Sequence, residues 1–309
     1  MDLPESWTAI VNPAAGRGRA RFQLPRTADA LARADLDVEI HLSADADDLR
    51  RLAIAAFDAG RGVIACGGDG TVSTVAGLAA EHDGVLGLVP SGSGNDFARQ
   101  LGIPRDDVEA AVAALVDAQV VPVDLGRAHA ADGTTTWFAT VANVGFDAEA
   151  NRWSNGVRWT SGAPLYVLAT LRTLMHYRPR PFRITVDDET FDTDAWLVAI
   201  GNTRTYASGM MITPDADLHD GALDVCVVGP VSRLDFLRTF PSVFRGGHVE
   251  HPIVETYRGA TVTVESPDVA TPELWAGGEH AGTLPARMEA VPSALRVAVP
   301  RLPPRRVPI

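Results

Sequence analysis

The sequence predicts a chain of two domains: an α/β domain with a parallel sheet over residues 1–125, then a mostly β domain over residues 126–309. Three observations carry that reading. Apolar runs ending at Val11, Cys66 and Val89 each stop at a glycine-bearing turn and are followed by helical spacing, and strands alternating with helices imply parallel pairing. Three early strands lead to an acid, Asp69, Asp96 or Asp124, and an open α/β sheet gathers such residues at the carboxyl ends of its strands. After Gly126 the texture changes to short strands separated by turns such as Asp187-Asp188 and Gly277-Gly278.

Taken in order, Trp7 to Val11 reads as a strand that ends in Asn12-Pro13-Ala14-Ala15-Gly16-Arg17-Gly18. This is not a dinucleotide fingerprint, because Arg21 stands where the third glycine belongs. Residues 20–34 look helical, and Val38 to Leu42 alternates as a strand that stops at Ser43. Asp48 to Ala59 has helical spacing, with Leu49, Leu52, Ala53 and Ala56 on one face. Val63 to Cys66 is a buried strand running into Gly67, Gly68, Asp69, Gly70 and Thr71, and Val72, Val75, Ala76 and Leu78 continue as a helix. A strand, a glycine turn and a helix start can cradle phosphate, since glycines let the backbone come close and the first helical N–H groups point at the anion. Asp69 would repel a phosphate unless a cation lies between them; otherwise the stretch is a sharp turn with one solvated acid. Val85 to Val89 is another buried strand, and Pro90 to Ala98 a second Gly/Ser turn with Asp96 just before a helix. Asp107 to Ala118 is an amphipathic helix, and Val120 to Val123 a strand that ends at Asp124.

In the second half, strands are expected at Trp137–Asn143, Arg183–Val186, Ala195–Ile200, Ala222–Val228, Thr261–Glu265 and Leu295–Val299. Helices are expected at Pro164–His176 and Leu234–Phe244, and the proline-rich tail Pro300–Ile309 should be extended or loose.

Composition removes several function classes. The net charge of −12 argues against nucleic acid as the main partner, and it is uneven, −9 over residues 1–125 and −3 over the rest. All 27 basic residues are arginine, a bias that a GC-rich genome explains. Without lysine there is no Walker-type phosphate loop, protein-kinase ATP lysine or Schiff-base chemistry. A bound nucleotide would have to be held by backbone amides, arginine and metal. Cys66 and Cys226 are too few and too far apart for a disulfide framework or a Cys-x-x-Cys site, which suits reduced thiols and a cytoplasmic location. Met1 to Glu5 lacks the charge and apolar run of a signal peptide, and no segment approaches the ~18 apolar residues of a span, so membrane contact is expected to be peripheral.

Two segments of the second half carry chemistry. Asp215-Ala-Asp217-Leu-His-Asp220-Gly221 fails as an EF-hand, with the third acid and the glycine one residue late and Cys226 in place of the bidentate Glu. It remains either a metal turn using one carboxylate and backbone carbonyls or a plain solvated turn. Glu279, in Trp275-Ala-Gly-Gly-Glu279-His280, can reach into a cleft as a general base or stand as an exposed turn carboxylate, while His280 points the other way. The run Arg172 to Arg183 could face anionic headgroups or simply cap a helix end.

The motif order is more specific than any one motif. Asn12-Pro-Ala-Ala-Gly16, Gly67-Gly-Asp-Gly-Thr71, Gly94-Asn-Asp-Phe-Ala98, Val123-Asp-Leu-Gly126, Asn143-Val-Gly-Phe146, Pro214 to Asp224 and Gly278-Glu279 follow one another from about residue 6 to residue 300. This series resembles the diacylglycerol kinase catalytic-domain family, bacterial lipid kinases related to sphingosine and ceramide kinases. Gly-Gly-Asp-Gly-Thr alone is shared with NAD kinases and phosphofructokinases; its combination with Gly-Asn-Asp-Phe-Ala and Asp217-x-x-Asp220-Gly221 is narrower.

The resemblance implies an NAD-kinase/diacylglycerol-kinase-like α/β nucleotide domain, a β-sandwich-like second domain and an active site in the cleft. It implies ATP contacts at Asn12, Pro13, Ala14, Ala15, Gly16, Ser43, Gly67, Gly68, Asp69, Gly70, Thr71, Val72 and the Ser93-Gly94-Asn95 turn. Asp69, Asp96 and Asp124 would form a water-linked network around the nucleotide's Mg²⁺. A structural Mg²⁺ would sit on the Asp220 carboxylate and the carbonyls of Asp217 and Ala222, and Glu279 would take the proton from the lipid hydroxyl. The expected partner is a membrane lipid such as diacylglycerol, met peripherally at the inner face of the membrane through the arginine-bearing second domain, with a homodimer left open. Two positions depart from the family pattern. Ser73 and Thr74 replace its common Asn-Glu, and Gly277-Gly278 replaces the Asp-Gly before the base. The alternatives are a soluble-substrate kinase of the NAD kinase type and a non-catalytic nucleotide- or lipid-binding protein.

Overall fold

A computed structural model of the chain describes residues 2–146, 173, 177–267 and 272–301, without the side chains of residues 17–19. The helix expected at Pro164–His176, the start of the Arg172–Arg183 run and the tail beyond residue 301 lie outside the described residues. The chain divides into two compact units, residues 1–122 with 295–309, and residues 123–294. The boundary expected after residue 125 therefore falls three residues earlier, and residues 295–301 belong to the first unit.

In the first unit β1 (Ser6–Val11), β2 (Asp37–Leu42), β3 (Gly62–Gly67) and β4 (Val85–Pro90) alternate with α1 (Arg19–Arg33), α2 (Ala46–Asp58) and α3 (Asp69–Glu81). The short α4 (Asp96–Gln100) and α5 (Val108–Val116) follow. The sheet runs β2-β1-β3-β4, all parallel. The last strand of the chain, Ala286–Pro300, joins its β4 edge in parallel through Arg296 opposite Val85 and Val297 opposite Leu86. Every residue of β3 is buried, as a central parallel strand covered on both faces requires, whereas β2 at the edge leaves Ile40 and Leu42 exposed. Asp45 and Asp107 start α2 and α5 by accepting hydrogen bonds from Asp48 N (2.8 Å) and Ala110 N (3.1 Å). Trp7, Leu31, Ile64, Leu115 and Ala298 pack in the core of this unit.

β5 (Ala118–Ala130) leads into the second unit, which continues with β6 (Thr135–Phe138), β7 (Val141–Gly145), β8 (Arg180–Val186), β9 (Glu189–Ala195), β10 (Leu197–Gly201) and β11 (Leu223–Val228). α6 (Arg233–Thr239) comes next and runs on as 3-10 turns over Phe240–Arg245. β12 (Val254–Gly259), β13 (Thr261–Glu265), β14 (Glu273–Ala276), β15 (Glu279–Thr283) and β16 (Ala286–Pro300) complete the chain. One antiparallel sheet has the order β12-β11-β10-β7-β14-β15, and β16-β13-β8-β9 forms another. Val198, Ile200 and Val225 of the one meet Ile184, Val264 and Met288 of the other in a single apolar core, which makes the unit a sandwich.

The strand expected over Trp137–Asn143 is two strands, because the chain changes sheet there: β6 pairs with β5, and β7 with β10 and β14. Four strands escaped the sequence pattern, β9, β12, β14 and β15; three of them are polar and end a sheet. No helix among the described residues is long and apolar enough to cross a membrane.

Candidate functional site

The first unit builds its candidate site at the topological switch point. The strand order reverses between β1 and β3, which opens a crevice at their carboxyl ends. Asn12 follows β1 and Gly68-Asp69 follow β3, and the two sides are tied by Asn12 Nδ2 donating to Thr71 Oγ1 at 2.9 Å. Asn12 Oδ1 also accepts from Ala14 N at 3.0 Å, which shapes the Pro13–Gly16 turn. Ser43, after β2, is buried and its hydroxyl meets Val11 O at 3.4 Å.

The turn after β4 packs directly on the turn after β3. A Cβ on Gly92 would lie 2.5 Å from Gly68 Cα, and one on Gly68 would lie 3.1 Å from Gly92 Cα. Gly92 has no room for a side chain here, and Gly68 has little. Asn95, in the left-handed conformation, closes the second turn by accepting from Gly92 N (2.9 Å) and donating to Gly92 O (3.1 Å). Asp69 Oδ1 accepts from Asp96 N at 2.7 Å and from Phe97 N at 3.4 Å, so its carboxylate caps α4. Asp96 is fully buried and accepts from Arg99 Nε at 3.3 Å. Gly94 and Asn95 are buried in this turn and Ser93 is exposed. Of the two positions that depart from the family pattern, Ser73 is buried and its hydroxyl has no partner among the described residues.

Burial raises the Asp69 carboxyl to about 6, and the neighbouring Asp96 charge adds to the rise against the amide hydrogen bonds. Two close carboxylates at a glycine-lined helix start suit a divalent cation carried between them and a phosphate. The Ser91 hydroxyl beside Gly92 is buried without a partner among the described residues, a further polar atom available to a ligand. The residues of this crevice fit ATP with Mg²⁺.

Asp124 plays a different part in the second unit. Its Oδ2 accepts from Gly221 N and its Oδ1 from Ser293 N, both at 2.7 Å, while its backbone binds Leu218 O and Asn202 Nδ2. Both carboxylate oxygens are thus engaged in holding the Asp217–Gly221 turn and the residues before Leu295. Asn202, which also donates to Ala139 O at 2.9 Å, is a buried organiser that no sequence period announces.

The structural Mg²⁺ set expected at Asp217, Asp220 and Ala222 meets a competing cation. Arg258 pairs with Asp220 and stands 3.8 Å from Asp224, while Asp220 Oδ1 accepts from Ala222 N at 3.0 Å and Asp217 Oδ1 from His219 N at 3.1 Å. Among the described residues no three acidic, His or Cys side chains gather as a metal site. Burial, with Asp215 and Asp217 nearby, raises Asp224 to about 6, so Arg258 offsets only part of the local negative charge.

Glu279 opens β15 directly after a two-glycine hairpin whose φ values, 61° at Gly277 and 87° at Gly278, belong to the left-handed region. Glu279 is exposed at this outer strand, and the register sets it opposite Ala276 and His280 opposite Trp275. The hairpin thus places Glu279 at the exposed start of β15.

The same unit holds a small apolar pocket of about 60 Å³, lined by Phe146, Met210, Ile212, Phe236, Phe240 and Val254 among others. The one side chain among its described lining residues that could titrate near neutral pH is His248. Its Nε2 donates to Ile212 O at 3.1 Å, and burial holds its pKa below the ordinary value. A neutral imidazole keeps this pocket fit for a hydrocarbon chain. Its residues come from strands, turns and α6 scattered between positions 146 and 254, which is why the sequence pattern did not reveal it.

Comparisons with known proteins bear on the family and the fold. Residues 6–128 match the diacylglycerol kinase catalytic domain, and residues 140–299 the YegS C-terminal NAD kinase beta sandwich-like domain. The chain is similar to a diacylglycerol kinase of Mycobacterium tuberculosis (strain CDC 1551 / Oshkosh), 40% identical over 296 residues that cover 95% of each chain. It is similar to a diacylglycerol kinase of Bacillus subtilis (strain 168), 26% identical over 94% of this chain and 95% of that one. A crystal structure described as a diacylglycerol kinase from Bacillus anthracis shares the fold, with a TM-score of 0.73, 21% identity and coverage of 96% and 97%.

Proposed function

Because the chain belongs to the diacylglycerol kinase family, a lipid kinase family, we propose that it transfers the γ-phosphate of ATP to a hydroxyl of diacylglycerol or a closely related lipid. The observation that carries the ATP half is the backbone-to-backbone packing of Gly68 and Gly92 around the Asp69 carboxylate. The amides at the start of α3 bind the phosphates and Asn12 orders the loop across from them. Asp69 and Asp96 would hold the Mg²⁺ that comes with the nucleotide, which would neutralise charge on the phosphate oxygens. Asp124 positions its surroundings through two amides. No second Mg²⁺ is assigned to Asp220, which Arg258 already pairs.

In the transfer step the lipid oxygen forms a bond to the γ-phosphorus as the bond to the β–γ bridging oxygen breaks. The hydroxyl proton goes to the Glu279 carboxylate and ADP leaves. The apolar lining of the second unit's pocket offers an acyl chain a surface to pack on, which favours a lipid acceptor over a soluble one such as NAD.

The test is transfer of labelled γ-phosphate from Mg²⁺-ATP into a total lipid extract, wild type beside Glu279→Gln. A labelled lipid that falls at least about a hundredfold in the variant is the expected result. Label in no lipid, from protein that binds ATP, would refute the assignment.

A further inference from the structure

The segment Arg233–Arg245 is apolar on two sides. Phe236, Phe240 and Val243 line the apolar pocket. On the other side Leu234, Leu237 and Phe244 are 57%, 37% and 38% exposed, with exposed Pro241 between them. These four positions recur at i, i+3, i+7 and i+10, one stripe along α6 and the 3-10 turns after it. A surface helix normally turns its second face to water with charges, and leucines and phenylalanine in a row mark a surface built for an apolar neighbour.

The charges say which neighbour. Arg233, Arg238 and Arg245 are all exposed beside the stripe and Asp235 is the one acid of the segment, so it carries +2 on a chain of −12. Asp235 is occupied by Ser232 and by Arg238 at 3.2 Å. Leucine and phenylalanine on one stripe with arginines along its borders is the chemistry of a helix lying in the headgroup plane of an anionic bilayer. A second copy of the chain fits less well, since two-fold self-pairing would set the same arginines against each other.

We propose that Arg233–Arg245 is the element by which this chain lies on an anionic lipid bilayer, its stripe in the acyl boundary and its arginines on lipid phosphates. The inference rests on the lipid-kinase reading for its purpose. A bilayer on the outer side of α6 supplies lipid next to the pocket that the inner side of α6 lines.

The experiment sediments the full chain with phosphatidylcholine vesicles, with and without phosphatidylglycerol, for wild type, Leu234→Ser/Leu237→Ser/Phe244→Ser and Arg233→Gln/Arg238→Gln/Arg245→Gln. Turnover is measured in parallel on diacylglycerol in vesicles and on a short-chain, water-soluble diacylglycerol. The apolar triple variant should lose vesicle binding and vesicle turnover by about tenfold or more while keeping short-chain turnover. The arginine variant should lose its preference for phosphatidylglycerol and the weakening of binding by salt. Phe244→Trp gives a readout free of catalysis, with an emission blue shift expected on anionic vesicles. Unchanged vesicle binding by the apolar triple, or no emission shift from the Phe244→Trp variant, would overturn the proposal. So would a dimer that the triple variant converts to monomer with vesicle binding intact, which would assign the stripe to a second copy. Vesicle binding by wild type without turnover of either substrate would count against the kinase reading alone.

Discussion

Asp69 sits where a helix start would welcome an anion, and its own charge is costly there. Its pKa of about 6 in the folded chain compares with 3.8 for an unperturbed aspartate. Between those values the folded state keeps a proton that the unfolded state has lost, so ligand-free stability falls as pH rises from about 4 to about 6. Urea denaturation across that range should show the decline for wild type, with Asp69 contributing on the order of 2 kcal/mol, and a shallower one for Asp69→Asn. At neutral pH the same variant should be more stable without ligand, yet lack the thermal shift expected of wild type with Mg²⁺-ATP. Asp124 predicts the opposite sign. An Asn there can accept from only one of Gly221 N and Ser293 N and turns its NH₂ toward the other, so Asp124→Asn should cost about 2 kcal/mol by urea titration. That Asp69 and Asp96 start helices just after strands, and that Glu279 follows a glycine turn, was legible because each stands in a short local motif. What Asp124 and Asp220 actually touch was not, since Ser293 is 169 positions from Asp124 and Arg258 is remote from Asp220 in sequence.

At the scale of elements, the two glycine turns behave as one part. Gly92→Ala puts a methyl 2.5 Å from Gly68 Cα, which is backbone, and 2.8 Å from Asn95 Oδ1, whose side chain is held by two hydrogen bonds to Gly92. The turns must separate, and a fluorescent ATP analogue should bind at least about tenfold more weakly to that variant. The Gly277-Gly278 hairpin makes a separate prediction. A Cβ on Gly278 meets nothing within 4 Å, so Gly278→Val acts through its φ of 87° alone, re-aiming Glu279. Steady-state kinetics should show kcat reduced several-fold with the KM for ATP unchanged. Buried parallel strands such as β3 and β4 were readable because their whole length is apolar. β9 (ETFDTDA) and β15 (EHAGT) were not, since outer strands keep polar side chains and show little of the period that marks a sheet.

At the scale of the molecule, the second unit is an insertion in the first. β16 begins among the strands of the sandwich, opposite β13, and ends as the strand beside β4, with Leu295 and Val297 fully buried. A fragment of residues 1–125 should therefore unfold without a cooperative transition in urea. Residues 1–122 joined to 295–309 by a flexible linker should recover one. The sequence reading separated the α/β and β-rich halves because their local textures differ. It gave Leu295–Val299 to the second half because an isolated strand carries no mark of the sheet it joins.

The return of the last strand also sets a clock on biosynthesis. A ribosome adding about 5–20 residues per second needs on the order of ten seconds or more to travel from β4 to the strand that completes its sheet. Throughout that interval the glycine turns exist as sequence but their sheet lacks its closing edge. A chain abandoned by the ribosome before about residue 300 would carry every nucleotide motif and still be unable to finish the sheet that presents them. Truncated products of this protein should thus be silent, neither binding ATP nor competing with the complete enzyme for lipid.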